Sequence, residues 1–388
     1  MALVMLTPFH TVLASNFNAN IILLALWPWT AWAFVRLCER PAIGMGALFG
    51  LLAGLSMLSK YMTVLMLAGC GVALLLHPNR NRLLASPAPY VAVVIGFAVL
   101  APHLWWLVQN DFPPFSYALE KTGDTPARFI GKAVTTGLGG LALLLPALGA
   151  WRLALGSFMW RTWTASLGDI LRPALRWLLP LALSPFALTV LAGLTGQYKI
   201  ATNFLIPTMC LMPLLAVVLF PVTAQAARRI ALIAYGYLAV ALFAAPVIAF
   251  VSARANVKNA VEPTADVARA ATDVWRRTFG VPVKIVAGTE MYELAAAFYS
   301  PDSPVEFTHF KPAQAPWITP ERLARDGLLV ICRTGDAACL ASAEAHAKPG
   351  TVKRRLTVAP KLLGFKLAPI TVDLVLVPPA GVTARSAE

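Results

Sequence analysis

The sequence predicts a mainly α-helical protein: a polytopic membrane helix bundle over residues 1–252, followed by a small α/β domain over residues 253–388. Three observations predict it. Hydrophobic residues make up 58% of the 388 and charged residues only 13%, with a mean hydropathy of +0.69; a soluble domain usually carries about 25% charged residues. Long apolar stretches recur up to residue 251 and then stop. Beyond them the apolar runs are short, and strand-like and helix-like patterns alternate.

The apolar stretches run over residues 1–14, 21–37, 42–58, 62–76, 88–107, 133–151, 177–195, 202–220 and 230–251, about nine hydrophobic segments. Several are shorter than the ~20 residues that a perpendicular span needs, so tilted, broken or re-entrant segments are expected. No basic stretch and cleavage site mark a signal peptide at Met1-Ala-Leu-Val-Met-Leu-Thr-Pro, which reads like the middle of a longer hydrophobic protein.

Loop charges give the bundle a direction. If the segments alternate, one set of loops holds Arg36, Arg40, Arg80, Arg82, Arg152, Arg161, Arg172, Arg176, Arg228 and Arg229, and the other only Lys60, Lys121, Arg128, Lys132 and Lys199. Ten against five places the first set in the cytoplasm, because Lys and Arg are retained there. The expected location is the cell inner (plasma) membrane, with the C-terminal domain extracytoplasmic (periplasmic). The net charge of +14 is spread over loops and tail, which suits anionic lipid headgroups and excludes nucleic acid as the expected partner.

In the tail, Pro263–Phe279 reads as an amphipathic helix, Val281–Ala287 as a buried strand and Met291–Phe298 as a helix. A short helix near Pro320–Arg325, the strand Leu328–Cys332, a helix across Ala337–His346 and strands near Thr351–Val358 and Ile370–Val377 follow. Cys38, Cys70 and Cys210 lie in apolar segments and read as small buried hydrophobes. Cys332 and Cys339, with six residues between them, are a disulfide candidate if the tail meets an oxidising compartment.

The predicted orientation gathers the unusual polar residues at the outer face: Asn16, Asn18 and Asn20, then Ser59-Lys60-Tyr61, the loop Gln109–Lys132, and Gln197-Tyr198-Lys199. Polar groups at the edge of a membrane core are costly, so they have a partner or a task. Lys60 reads either as a cation for a phosphate at headgroup level or as a snorkelling anchor, and Lys199 as a second such cation or anchor. Capping of the helix near Ile21 is the better reading for Asn20. His103, Trp105, Trp106, Asp111, Phe112, Phe115 and Tyr117 form a dense aromatic run with one acid. Aromatic faces and a carboxylate suit a sugar, and an interfacial aromatic belt is the plain structural alternative. Asp111 is the acid/base or sugar-binding candidate. Gly288-Thr289-Glu290, between a strand and a helix, is a weak candidate for cradling a small anion. No phosphate-binding loop, dinucleotide glycine cluster, zinc site or serine elbow is present in the sequence.

The order of these pieces resembles bacterial polyprenyl-phosphate-sugar glycosyltransferases related to the dolichyl-phosphate-mannose-protein mannosyltransferases, with their lipid A and lipopolysaccharide-core relatives. It rests on Leu6-Thr7-Pro8-Phe9 with Asn16-Phe17-Asn18-Ala19-Asn20, Leu58-Ser59-Lys60-Tyr61, Ala101-Pro102-His103 with Trp106-Leu107, and Asp111-Phe112-Pro113-Pro114-Phe115-Ser116-Tyr117. In the tail it continues through Val286-Ala287-Gly288-Thr289, Phe298-Tyr299-Ser300-Pro301 and Pro316-Trp317-Ile318.

The resemblance implies a GT-C fold with its site at the outer face, a polyprenyl-phosphate-linked sugar as donor, and transfer with inversion to a glycan, lipid or protein acceptor. The donor phosphate and sugar would then meet Lys60, Tyr61, His103, Lys199, Asn18 and Tyr117; a divalent metal is left open. The resemblance also implies acids in a first outer loop, whereas no acidic residue precedes Glu39. The expectation is therefore a glycosyltransferase chain lacking that helix and loop, with its activity as it stands left open. The alternative is a non-catalytic membrane protein, a lipid or sugar transporter or an assembly partner, on the same scaffold.

Overall fold

The computed structural model describes residues 2–11, 18–115, 126–155, 173–195, 202–219, 222–254, 262–362 and 365–385. The chain divides into two compact units, Met1–Phe243 and Ala244–Glu388.

The first unit is helical: α1 (Ala2–Met5), α2 (Ala19–Glu39), α3 (Ile43–Ser59), α4 (Thr63–Leu76), α5 (Arg80–Leu84), α6 (Ala88–Gln109), α7 (Pro126–Ala142), α8 (Leu145–Leu155), α9 (Pro173–Leu194), α10 (Thr202–Thr208), α11 (Met212–Leu219) and the first part of α12 (Ala224–Arg254), whose residues from Ala244 onward belong to the second unit. Five stretches among the described residues are long and apolar enough to cross a membrane: Ala19–Glu39, Ala88–Gln109, Ala127–Leu155, Leu175–Leu194 and Ala224–Val251. The protein is a multi-pass membrane protein. Its outward faces carry Val93, Val94, Phe97 and Trp105 on α6 and Val240, Leu242 and Phe243 on α12, all exposed, as lipid-solvated helices require. The apolar stretch expected over 1–14 is interrupted: α1 ends at Met5 and a 3₁₀ turn covers Pro8–His10. The stretch 202–220 is likewise split into α10 and α11, with Pro207 in the last turn of α10.

In lipid there is no hydrophobic drive between helices, so small residues that admit close approach decide which helices meet. Gly46, Gly50 and Gly54 recur every four residues along α3 and face Ala88, Ala92 and Gly96 of α6. A methyl group added at Gly50 would collide with the Ala92 carbonyl oxygen, and one at Gly46 with that of Ala88. The second seam joins α4 to α9, where an added methyl at Gly69 would collide with Ser184 Oγ. Leu23, Trp27, Phe34, Met66, Leu181 and Leu215 fill the common core, and Cys38, Cys70 and Cys210 are buried among them as free thiols.

The second unit continues after α12 as α13 (Thr264–Phe279), β1 (Ile285–Gly288), α14 (Glu290–Tyr299), β2 (Val305–Glu306), α15 (Pro320–Asp326), β3 (Leu328–Arg333), α16 (Ala337–Ala345), β4 (Val352–Val358), β5 (Lys361–Leu362), β6 (Phe365–Lys366) and β7 (Ile370–Val377). The main sheet has the order β2-β1-β3-β7-β4. Strands β2, β1 and β3 are parallel, and β7 runs antiparallel to both β3 and β4. Side-chain alternation divides the core into two layers. Val286, Leu329, Ile331, Val372, Leu374 and Leu376 pack against Val267, Ala271, Trp275 and Tyr292 of α13 and α14. On the other face Ile285, Ala287, Leu328, Val330, Val375 and Val377 meet Phe307, Ile318 and Ala343.

The tail elements follow the sequence reading, with a few differences that include an additional 3₁₀ turn at Thr308–Phe310. The buried strand begins at Ile285 rather than Val281, and both the two-residue strand β2 and the hairpin β5–β6 are additional. Cys332, at the end of β3, is joined by a disulfide to Cys339 in the first turn of α16, with a Cα–Cα distance of 5.8 Å.

Candidate functional site

One end of the bundle gathers the start of α2, the link between α3 and α4, the end of α6 and the side chain of Phe204 on α10. Asn18 is the N-cap of α2, its side-chain oxygen accepting from the Asn20 amide at 2.9 Å. Asn20, expected as the cap, instead lies inside the first turn. Its side chain faces the neighbouring helices, where Asn20 Oδ1 accepts from Lys60 Nζ at 2.7 Å. The Lys60 ammonium also lies 3.9 Å from the centre of the Phe204 ring, a cation–π contact. Ser59 Oγ donates to the Ala19 carbonyl, fixing the end of α3 to the start of α2. Lys60 is thus held by two helices other than its own, which distinguishes it from a lysine snorkelling freely into the headgroups.

The next residue, Tyr61, belongs to an aromatic wall. The Tyr61 hydroxyl and His103 Nε2 are hydrogen-bonded at 2.6 Å. The Tyr61 ring stacks on Phe115 at 5.5 Å, and His103 stacks on Trp106 at 5.8 Å. These rings are positioned by a tight turn after α6, in which Phe112 N donates to the Leu107 carbonyl and Asn110 Nδ2 to that of Trp106. Asp111 and Phe112 take left-handed backbone conformations there, φ 56° and 53°, which L-residues other than glycine, Asn and Asp rarely adopt. The turn directs Phe115 back over Tyr61. Asp111 is exposed, and among the described residues no hydrogen bond or ion pair links it to Lys60, Tyr61 or His103. Asn16, Tyr117 and Lys199 lie outside the described residues.

Below Lys60 a buried polar network locks three helices together. Trp27 Nε1 donates to Thr63 Oγ1 (3.2 Å), Thr63 Oγ1 donates to the Ser56 carbonyl (2.9 Å), and the Thr30 and Ser56 hydroxyls meet at 3.3 Å. Hydroxyls within apolar runs are the signal available in the sequence for this network. An apolar groove of about 560 Å³ runs between α2, α3, α4 and α6. Its lining extends from Val64 and Leu104, close in the chain to Tyr61 and His103, to Leu37 and Leu83.

In the second unit the anion cradle suggested at Gly288–Glu290 is occupied by the protein's own groups. The Gly288 amide donates to the buried Glu293 carboxylate (3.0 Å), and Thr289 Oγ1 donates to Asp336 (2.9 Å) while accepting from the Arg333 amide (3.0 Å). Burial, with Glu306 nearby, pushes the Glu293 carboxyl up to about 7, against the opposing pull of the His309 and Gly288 amides. Among the described residues no cluster of His, Cys, Asp and Glu has the makings of a metal site.

The first unit is thus a multi-pass helical bundle with a fixed lysine, a set of stacked aromatic rings and an apolar groove between its helices. Residues 1–106 match the family model described as dolichyl-phosphate-mannose-protein mannosyltransferase, a stretch that includes Lys60, Tyr61, His103 and Trp106 but ends before Phe115. The chain is also similar to the lipid A galacturonosyltransferase RgtD of Rhizobium johnstonii, at 33% identity over 95 residues. That stretch covers 24% of this chain and 20% of the relative. No solved structure matches.

Proposed function

We propose that the protein is a membrane glycosyltransferase of the GT-C type that takes a sugar from a polyprenyl-phosphate donor and passes it to a glycan, lipid or protein acceptor. The observation that carries this reading is the fixed Lys60 ammonium, tied to Asn20, next in the chain to the Tyr61–His103 pair, in a bundle that also holds an apolar groove. In the proposal Lys60 neutralises the donor phosphate, which becomes the leaving group, so that positive charge meets the negative charge developing on it. The stacked rings of Tyr61, Phe115, His103 and Trp106 offer flat faces for the sugar. The groove takes the polyprenyl chain, and Asp111 is the base candidate on the turn above. The proposed site and C-terminal domain face outward from the inner membrane, with Lys199 and Tyr117 as further contacts.

The test is transfer of sugar from a polyprenyl-phosphate donor by the protein reconstituted in lipid nanodiscs. Lys60→Ala is expected to lower the rate by about 100-fold, the usual cost of removing one charge-stabilising donor, with Lys60→Arg retaining part of it. Undiminished transfer by a well-folded Lys60→Ala protein would remove Lys60 from the mechanism.

The isolation of Asp111 from Lys60 supports a second reading, a protein that binds the lipid-linked sugar without transferring it. Saturable donor binding with no product would favour that reading.

A further inference from the structure

The hairpin β5–β6 has a composition that its own fold does not explain. Lys361 and Lys366 are paired directly across the two strands, both are exposed, and neither has an ion-pair partner among the described residues. Like charges set opposite one another in a ladder destabilise it, and a two-stranded hairpin alone is at best marginally stable in water. Six cations and no acid lie between Glu344 and Asp373: Lys348, Lys353, Arg354, Arg355, Lys361 and Lys366. Lys353 and Arg355 are neutralised by Glu344 and Asp373, which leaves Lys348, Arg354 and the two hairpin lysines without an ion pair among the described residues.

The opposite side of the hairpin is apolar and is tied to a membrane level. Phe365, 54% exposed, meets the ring of Phe250 edge to face at 5.3 Å. Phe250 is one residue from the end of the span Ala224–Val251, and the Arg254 guanidinium lies 5.2 Å from its ring. Aromatic rings with flanking cations mark the boundary between hydrocarbon and headgroups.

We propose that β5–β6 is an interfacial finger that seats the C-terminal domain on the membrane, Phe365 at the acyl boundary and the Lys361–Lys366 pair clamping the phosphate of an anionic lipid headgroup. The anion converts the repulsive lysine pair into a bridged one. This inference rests on the membrane bundle and is independent of glycosyl transfer.

The full-length protein in nanodiscs of phosphatidylcholine, with or without phosphatidylglycerol, tests it through amide hydrogen exchange over residues 358–370. Phosphatidylglycerol is expected to slow exchange by about fivefold or more, since one lysine near an anionic surface contributes roughly that factor. The Lys361→Ala/Lys366→Ala protein should lose the difference and the Lys361→Arg/Lys366→Arg protein keep it; raised salt should weaken it in the wild type. Equal exchange in both discs would overturn the proposal. So would equal protection by inorganic phosphate in phosphatidylcholine discs, which would make the hairpin a free-anion site.

Discussion

The bundle and the C-terminal domain bury their polar groups on opposite principles. In the domain, large apolar side chains from both sheet faces form two cores, and charged residues stay at the surface except for a few such as Glu293 and Asp326. In the bundle, apolar residues cover the outside, the tightest helix contacts are made by glycine and alanine, and the buried polar groups Asn20, Ser56 and Thr63 are bonded to other helices. The difference teaches where function is visible. In a membrane bundle a polar side chain stands out against its surroundings and its partner defines a site, whereas in the domain polarity alone marks nothing.

Changes to these two kinds of packing should differ in size. Gly50→Leu, which forces a side chain into the Ala92 backbone, should cost the bundle about 3 kcal/mol, the upper end of overpacking penalties. Gly44→Ala, with nothing within 4 Å of the added methyl, should be silent. Thermal unfolding in nanodiscs compares them, and equal effects would remove the small-residue seam from the account.

In the domain, Cys332→Ala/Cys339→Ala opens a short loop and should cost about 2 kcal/mol by loop-closure entropy, read as faster hydrogen exchange of β3 and α16. A further effect in the domain is set by pH. A carboxyl raised from 4.5 to about 7 on folding binds its proton more tightly in the folded domain. Stability is therefore greatest at acid pH, falls as pH rises from 4.5 through about 7, and levels off above. Glu290, Glu306 and His309 are the charged or titratable groups around it. Glu293→Gln keeps an acceptor for the Gly288 amide and should flatten that decline, measured as exchange of the 288–310 segment after correction for intrinsic rates. A decline that persists in Glu293→Gln would assign it to another group.

Much of the fold is legible in the sequence, for reasons that vary by element. Leu328–Arg333 and Ile370–Val377 are recognisable as compact apolar runs rich in β-branched residues and leucine. Val305–Glu306 is too short for any periodicity to register, and the strands holding Lys361 and Phe365 are two residues each. At the site, Lys60, Tyr61 and His103 stand out as polar groups in apolar surroundings, and the structure brings Tyr61 and His103 together. The role of Asn20 is not legible, because a small shift in the start of α2 decides whether Asn18 or Asn20 is the cap. Phe204 escapes a sequence reading because a ring in an apolar run carries no sign that a cation lies over it.

The central claim is that the Lys60 ammonium, held by Asn20, receives a lipid-linked phosphate. Equilibrium binding of a polyprenyl phosphate to the protein in neutral-lipid nanodiscs tests it most directly. Lys60→Ala should weaken binding by about 10- to 100-fold, the range expected for losing a charged hydrogen bond, while Lys132→Ala, an exposed lysine in the first half of α7, should leave it unchanged. Equal affinity of the wild type and Lys60→Ala would contradict the account.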